Sequence, residues 1–180
     1  MPRFINEAYK HVGRGTKAEP ALVAGMLVCP QKNSWGCGPW ALRHCFMKWG
    51  FDFDPYCIAR LAGTKRSGTD EHGMKLAATL LGSEYRFIDV DSAVEAKRQV
   101  DKMLTKSMSI VLCVDGFNHW IACLHRSRRG YLVFDSGGNS SGPVIQLQSW
   151  QKLKKRLKYV DKHGTTHYFI SGMKKPRSLL

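Results

Sequence analysis

The spacing of apolar residues changes from helical to strand-like along the chain. Helices are predicted over 39–50, 54–62, 70–81, 92–106 and 149–160. Strands are predicted over 21–29, 85–90, 109–115, 118–125, 131–135 and 166–170. Because most of the helices come before most of the strands, the pattern predicts an α+β domain in which an N-terminal helical half packs on a C-terminal antiparallel sheet.

The length and composition fit one folded domain. Domains usually contain about 50 to 250 residues, and this chain has 180, of which 43% are hydrophobic. Residues 1–20 are polar and basic, so they are predicted to form a flexible basic arm. We expect residues 21–172 to form the domain and residues 173–180 to form a basic tail.

The charge is strongly unbalanced, with 28 Lys and Arg against 14 Asp and Glu and a net charge of +14. Such an excess can attract an acidic partner, nucleic acid or an anionic membrane surface. The predicted C-terminal helix over 149–160 is the best candidate for such a surface. Its basic residues are Lys152, Lys154, Lys155, Arg156 and Lys158, interleaved with Leu153, Leu157 and Tyr159. A solvated helix with one apolar stripe is the simpler interpretation of the same pattern.

The cysteine pattern and the apolar runs indicate a compartment. The six cysteines are Cys29, Cys37, Cys45, Cys57, Cys113 and Cys123. Most lie in apolar segments, and no signal peptide opens the chain, so we expect reduced thiols in a cytoplasmic protein. The longest apolar run, 21–29, is too short for a transmembrane segment, which needs about 20 residues. The cysteine spacing predicts no metal site, and no cofactor is expected.

Cys37 lies in a context that favours nucleophilic chemistry. It sits between Gly36 and Gly38 at the start of a predicted helix. Small neighbours let a substrate backbone approach closely, and a helix N-terminus favours the reactive thiolate. A lone cysteine beside a glycine is more often a buried structural residue, so further residues are needed to support catalysis.

Gln31 lies six residues before Cys37 in the preceding loop. Its amide could donate to a developing oxyanion, together with the backbone N–H of Cys37. A polar loop glutamine without such a role fits the pattern as well.

His119 and Asp135 are predicted to meet across a hairpin. If the turn centres near Arg128, residue 119 lies opposite 137 and residue 121 opposite 135. The Asp135 carboxylate is then diagonal to His119 and within reach of its imidazole. Such a bond would fix the tautomer of the histidine, as the third member of a catalytic triad does. Asp115, on the neighbouring strand, is an alternative orienting residue.

Other histidines fit catalysis less well. His44 lies two helical turns beyond Cys37, about 10 Å along the axis, and His72 has no evident acidic partner. His163 and His167 are interpreted as surface or packing residues, and Cys45 and Cys57 as core residues. Trp35, Trp40 and Trp120 either line the cleft or pack in the core.

The ordered set of these residues resembles the C39 peptidase family, the papain-like processing domains of bacteriocin exporters. The shared motifs, between Leu22 and Gly138, are Gln31, Cys37-Gly38, Ala41-Leu42, Gly68-Thr69, the segment 73–82, His119-Trp120 and Asp135. Pro39 and Trp40 depart from the family pattern, and Ser136-Gly137 replaces the proline that usually follows the aspartate. The resemblance implies a papain-like cysteine peptidase fold over residues 21–172 and cleavage of a peptide bond, often after a double glycine in a leader peptide.

The sequence therefore predicts a cysteine peptidase that acts on a peptide or protein through Cys37, His119, Asp135 and Gln31 and forms a thioester intermediate. An acyltransferase, transpeptidase or deamidase with the same nucleophile remains an alternative. A third hypothesis is a non-enzymatic module that binds nucleic acid or an anionic surface through its basic helix.

Overall fold

The computed structural model describes residues 1–13, 19–137 and 143–177. The α-helices of this part are α1 (Arg3–Ala8), α2 (Cys37–Met47), α3 (Pro55–Leu61), α4 (Glu71–Leu80), α5 (Ala93–Thr105) and α6 (Trp150–Leu157). A short 3-10 helix, Tyr9–His11, continues α1. The strands are β1 (Ala21–Val23), β2 (Met26–Val28), β3 (Tyr85–Val90), β4 (Ser109–Val114), β5 (His119–Ser127), β6 (Gly130–Phe134), β7 (Ile145–Gln148), β8 (Lys158–Val160) and β9 (Thr166–Met173).

A main sheet of seven antiparallel strands organises the fold. Its spatial order is β3-β9-β4-β5-β6-β7, and β8 pairs with the first residues of β9. The last strand in the sequence, β9, therefore lies between β3 and β4. Strands β1 and β2 form a separate hairpin. The α+β class with an antiparallel sheet is thus confirmed.

Helices cover both faces of the main sheet. One face packs against α1 to α4, where Phe46 and Leu124 belong to one hydrophobic core. On the opposite face, Val100 of α5, Leu153 of α6 and Ile121 of β5 belong to a second core. All six residues of β4 are buried, as expected for a strand between two layers. The helical half thus covers one face, and the two later helices cover the other.

The N-terminal residues differ from the expected flexible arm. Residues 3–8 form α1, whose Phe4, Ile5 and Ala8 are buried in the first core. The Phe4 ring stacks on that of Phe134, with 5.6 Å between centroids. Phe4 and Ala8 have helical spacing, but the segment is short and basic. It was therefore interpreted as a flexible arm. Residues 14–18 of the predicted arm, residues 178–180 of the predicted tail and Gly138 lie outside the described residues.

Three further predictions were wrong in detail. The predicted strand over 21–29 is the β1–β2 hairpin, which turns at Ala24 and Gly25 with φ of 51° and 85°. The predicted helix over 149–160 ends at Leu157, and its last part is β8. Cys57 is exposed on α3 rather than buried in the core.

All six cysteines are free thiols. None of the helices among the described residues is long and apolar enough to cross a membrane.

Candidate active site

Cys37 is the first residue of α2, and the residue as a whole is 5% exposed. Gly36 occupies the N-cap position and supplies no side-chain hydrogen bond to the helix. The first N–H groups of a helix have no acceptor within it, so the amides of Cys37 and Gly38 are available to another acceptor. The thiol therefore lies beside unpaired backbone donors at the positive end of the helix dipole.

The glycines beside Cys37 are required for packing. A β-carbon on Gly38 would lie 2.8 Å from Met74 Sδ and 2.9 Å from Thr69 Cβ. A β-carbon on Gly36 would lie 2.6 Å from Asn33 Oδ1. The start of α2 therefore packs closely against α4 and the flanking loops. This packing requires small residues at 36 and 38, a structural reason that the sequence alone did not reveal.

The structure brings His119 and Asp135 together. His119 Nε2 lies 2.7 Å from Asp135 Oδ1, and the Asp135 side chain is fully buried. Cys37 at the start of α2 lies close enough to the His119 imidazole to raise its pKa. Because Asp135 occupies Nε2, Nδ1 is the ring nitrogen left for the sulfur. His119 therefore lies between Asp135, which it contacts, and Cys37, whose influence it feels.

The β5–β6 hairpin has the predicted register near His119, although its turn differs from the predicted one. A register that places residue 121 opposite 135 also pairs residue 122 with 134, and this pair is observed. At the turn, however, Ser127 pairs with Gly130, which is a tighter connection than predicted. An irregularity between Cys123 and His125 restores the register before His119 is reached.

The charges of His119 and Asp135 follow from their burial and from neighbouring groups. Burial alone would lower the pKa of His119, but its hydrogen bond to Asp135 and the neighbouring Cys37 outweigh this and raise the pKa to about 9. Burial alone would raise the pKa of Asp135, yet bonding to His119 and the nearby Arg156 charge lower it to about 2. At neutral pH the site therefore contains an imidazolium and a carboxylate.

Arg156 is a member of the site that the sequence analysis did not identify. It was assigned to the basic surface of α6, but its Nη1 donates to Asp135 Oδ2 at 2.9 Å. Its Nε and Nη2 donate to the Asp115 carboxylate at distances from 2.6 to 3.2 Å. Asp115, considered as an alternative partner of the histidine, thus anchors the arginine instead. No sequence pattern connects residue 156 with residue 135.

Gln31 lies against the segment that follows Asp135. Its backbone N–H donates to the Ser136 carbonyl at 2.9 Å, and the Ser136 hydroxyl donates to Gln31 Oε1 at 3.0 Å. Its Nε2 donates to the Asn33 carbonyl at 2.6 Å, which leaves one amide hydrogen for another acceptor. Ser136, where the resembling family usually has proline, therefore holds this glutamine.

Two of the tryptophans considered as cleft residues are largely buried. Trp120 and Trp40 are each 5% exposed, and Trp120 Nε1 donates to the Thr69 carbonyl at 2.8 Å. Trp35 is partly exposed and lines an open depression beside α3. Of the three, Trp35 is therefore the one accessible to a ligand.

The remaining histidines lie outside this arrangement. His44 is fully buried, and neither of its ring nitrogens has a hydrogen-bond partner among the described residues. Burial lowers the pKa of His44 to about 3, so it is a neutral core residue. His72 is exposed, and His167 binds Asp89 at 3.0 Å on the far part of the sheet.

Comparison with known proteins identifies the fold. No protein-family model and no curated protein matches the sequence. The peptidase domain of Streptococcus ComA, a bi-functional ABC transporter involved in a quorum sensing pathway, matches with a TM-score of 0.60 at 19% identity, over 81% of this chain and 96% of that chain. A double glycine motif protease from an AMS/PCAT transporter, in complex with the leader peptide, matches with a TM-score of 0.56 at 14% identity, over 88% and 96%.

A third similar structure is a C39-like peptidase from Bacillus anthracis, with a TM-score of 0.55 at 11% identity, over 88% of this chain and 100% of that chain. The chain therefore has the papain-like fold of C39 peptidase domains. At these identities the likeness establishes the fold, and the chemistry depends on the residues of this chain.

Proposed function

We propose that the protein is a cysteine peptidase in which Cys37 is the nucleophile, His119 the base and Asp135 the residue that orients His119. The observation that carries the proposal is the bond of 2.7 Å between His119 Nε2 and the buried Asp135, with Cys37 close enough to raise the pKa of the same imidazole. The papain-like fold of C39 peptidase domains supports a peptide as the substrate.

The reaction starts from the state in which the Cys37 proton already resides on His119, so that a thiolate faces an imidazolium. The thiolate attacks the carbonyl carbon of a peptide bond, and the carbonyl oxygen becomes an oxyanion. His119 then gives its proton to the leaving nitrogen, the C–N bond breaks, and a thioester to Cys37 remains. Water loses a proton to His119 and attacks the thioester, which releases a carboxylic acid and restores the thiol.

The oxyanion would be held by backbone and side-chain donors. The amide of Cys37 has no acceptor within α2, and Gln31 Nε2 keeps one free hydrogen. Ser136 binds Gln31 Oε1 and so turns the amide nitrogen of Gln31 away from its own position. Gln31 is therefore assigned to oxyanion stabilisation, and Ser136 to positioning it.

Alkylation with iodoacetamide at neutral pH tests the nucleophile. Intact mass and peptide mapping should find Cys37 modified first, and His119→Ala should slow its labelling by about 10-fold or more. The exposed Cys57 serves as an internal control, because its labelling should not change in the His119 variant. Equal labelling rates of Cys37 and Cys57, unaffected by His119→Ala, would contradict the proposal.

Product analysis tests the reaction itself. A peptide panel that includes a Gly-Gly sequence is incubated with the wild type and with Cys37→Ala, and the products are identified by mass spectrometry. Free carboxylic acid that depends on Cys37 supports hydrolysis. With an added amine, a mixed amide as the main product would instead indicate an acyltransferase, and ammonia release from a glutamine side chain would indicate a deamidase.

A further inference from the structure

A groove lies at the opposite end of α2 from Cys37. A cleft of about 720 Å³ is formed where the C-terminal end of α2 meets the start of α1, the β1–β2 turn and the segment that precedes β4. Since each helical residue advances about 1.5 Å, Met47 is about 15 Å along the axis from Cys37. The cleft is therefore separate from the proposed catalytic residues.

The groove is longer than a small-molecule site. A second depression of about 580 Å³ shares Pro2, Lys48 and Ser107 with the first and continues to the β5–β6 turn. Sites for small molecules usually enclose about 300 to 1,000 Å³, and the two connected depressions together exceed this range. The shape fits an extended chain better than a compact ligand.

The charged residues of the groove are all positive. No aspartate or glutamate is among the described residues that line either depression. Arg3, Lys106 and Lys175 line the first cleft without a carboxylate partner among the described residues, and Arg128 lines the second in the same way. A concave surface with charge of one sign concentrates the field and attracts the opposite charge.

Lys48 places an unneutralised charge between the two depressions. It is 5% exposed, and its Nζ donates to the Met108 carbonyl at 2.5 Å. Burial lowers the pKa of Lys48 to about 8, and no carboxylate among the described residues contacts it. Buried charges in proteins are normally paired, so Lys48 adds a positive charge without a carboxylate partner to the wall of the groove.

The floor of the groove is apolar. Met26, Met47 and Met108 line the first cleft together with Phe4 and Trp49. Methionine side chains adapt to apolar groups of different shape. Stacking of successive nucleic-acid bases needs several accessible aromatic faces. Phe4 is only 3% exposed and stacks on Phe134, which leaves Trp49, half-buried and with Lys48 Nζ 6.0 Å from its ring centroid, as the single accessible ring of the cleft. The floor therefore favours aliphatic or aromatic side chains of a peptide over bases.

We propose that this groove is a docking site for an acidic peptide segment that carries apolar side chains between its carboxylates. The apolar side chains would lie on the methionine floor, and the carboxylates would bind the unpaired cations at the rim and Lys48. This site is independent of the catalytic proposal, because no residue of the proposed catalytic site lines it.

Binding is tested with the full chain carrying Cys37→Ala, which prevents cleavage. The probe is a fluorescein-labelled peptide of about 12 residues, long enough to span both depressions, in which Glu or Asp alternates with Leu or Phe. Anisotropy at about 150 mM salt gives the Kd. The double variant Lys106→Glu/Lys175→Glu should weaken binding by about 10-fold or more, and Lys48→Met should weaken it as well.

The matched control is Lys152→Glu/Lys155→Glu, which makes the same charge change on α6. It should alter the Kd by less than about 3-fold, and all variants should keep the circular dichroism spectrum of the parent. An equal loss in the control would overturn the proposal in favour of general charge attraction. The proposal would also be overturned by no binding, by equal binding of a peptide of Glu alone, or by tighter groove-dependent binding of single-stranded oligonucleotides.

Discussion

Arg156 holds the oxygen of Asp135 that His119 leaves free. Its Nη1 lies 2.9 Å from Asp135 Oδ2, whereas His119 Nε2 lies 2.7 Å from Oδ1. The Gly137 N–H also donates to Oδ1, at 3.1 Å. With both oxygens engaged, the plane of the carboxylate is fixed, and the direction in which it holds the imidazole is fixed with it. Arg156 is thus a positioning residue for the proposed catalytic histidine.

Arg156→Gln should lower kcat for peptide hydrolysis by about 10-fold while KM changes little, because the loss of orientation affects the reacting groups rather than substrate binding. Lys155→Gln removes the same charge from the exposed face of α6 and should leave kcat unchanged. If both variants lower kcat equally, the effect is one of overall charge, and the positioning role is wrong. Arg156→Lys should restore only part of the rate, since lysine cannot bridge two carboxylates with a planar fork.

Gly137→Ala should displace the imidazole. A β-carbon at residue 137 would lie 2.7 Å from His119 Cε1 and 2.8 Å from Nε2, so the ring must move. A displacement of about 1 Å at a catalytic group can cost about 100-fold in rate, and we expect a loss of that order with little change in Tm.

Gly172→Ala is the matched control for this substitution. Its β-carbon would meet the ends of flexible methionine side chains, Met103 Sδ at 2.7 Å and Met108 Cε at 2.8 Å, which can move aside. We expect activity to be retained there. Full activity in Gly137→Ala would mean that the observed His119 position is not needed for the reaction.

Gln31→Ala should slow peptide hydrolysis without slowing the alkylation of Cys37. Loss of one oxyanion donor costs about 100- to 1,000-fold in kcat, whereas iodoacetamide reacts with a thiolate without forming an oxyanion. Peptide hydrolysis should therefore fall by about this factor, and the rate of Cys37 alkylation should change by less than about 3-fold. Lys32→Ala in the same loop is the control. A parallel fall in both rates would indicate that Gln31 supports the loop rather than the oxyanion.

The pH dependence should reflect the proton on His119. The folded site raises its pKa from 6.5 to about 9, so the protonated form is favoured and its stabilising contribution is complete below pH 6.5 and lost as the pH rises through about 9. Because the imidazolium must protonate the leaving nitrogen, kcat/KM should fall above about pH 9.

Asp135→Asn tests this assignment. The carboxylate is a main cause of the raised pKa of His119, so the alkaline limb should move from about 9 towards 6.5 in this variant. The limb is measured from initial rates of hydrolysis in buffers of constant ionic strength. An unchanged alkaline limb in Asp135→Asn would assign it to another group.

The sequence predicted the elements with regular patterns and missed those that depend on distant contacts. The strand over 85–90 was predicted with its observed bounds, and α5 lies within one residue of its predicted helix at each end. Strand β7 was not predicted, because four residues beyond a loop carry little periodic signal and are held by pairing with β6. The α+β class therefore followed from local patterns, whereas the outer strand depended on its partner.

The same distinction applies to the candidate site. The contact of His119 with Asp135 follows from strand alternation and hairpin register, which are local properties of residues 119–135. Arg156 reaches that carboxylate from the other side of the sheet through α6, and nothing in its neighbouring residues distinguishes it from the exposed lysines of the same helix. The sequence could predict that a basic helix forms, but not which of its cations turns inward.

The inner position of β9 makes completion of the main sheet depend on the last strand in the sequence. Residues 166–173 leave the ribosome after Cys37 and His119, yet they fill the place between β3 and β4. Until that strand is inserted, β4 has no neighbour on that side, and the layer beneath α2 is incomplete. Any activity that needs the complete sheet beneath α2 is therefore expected only after β9 has been inserted.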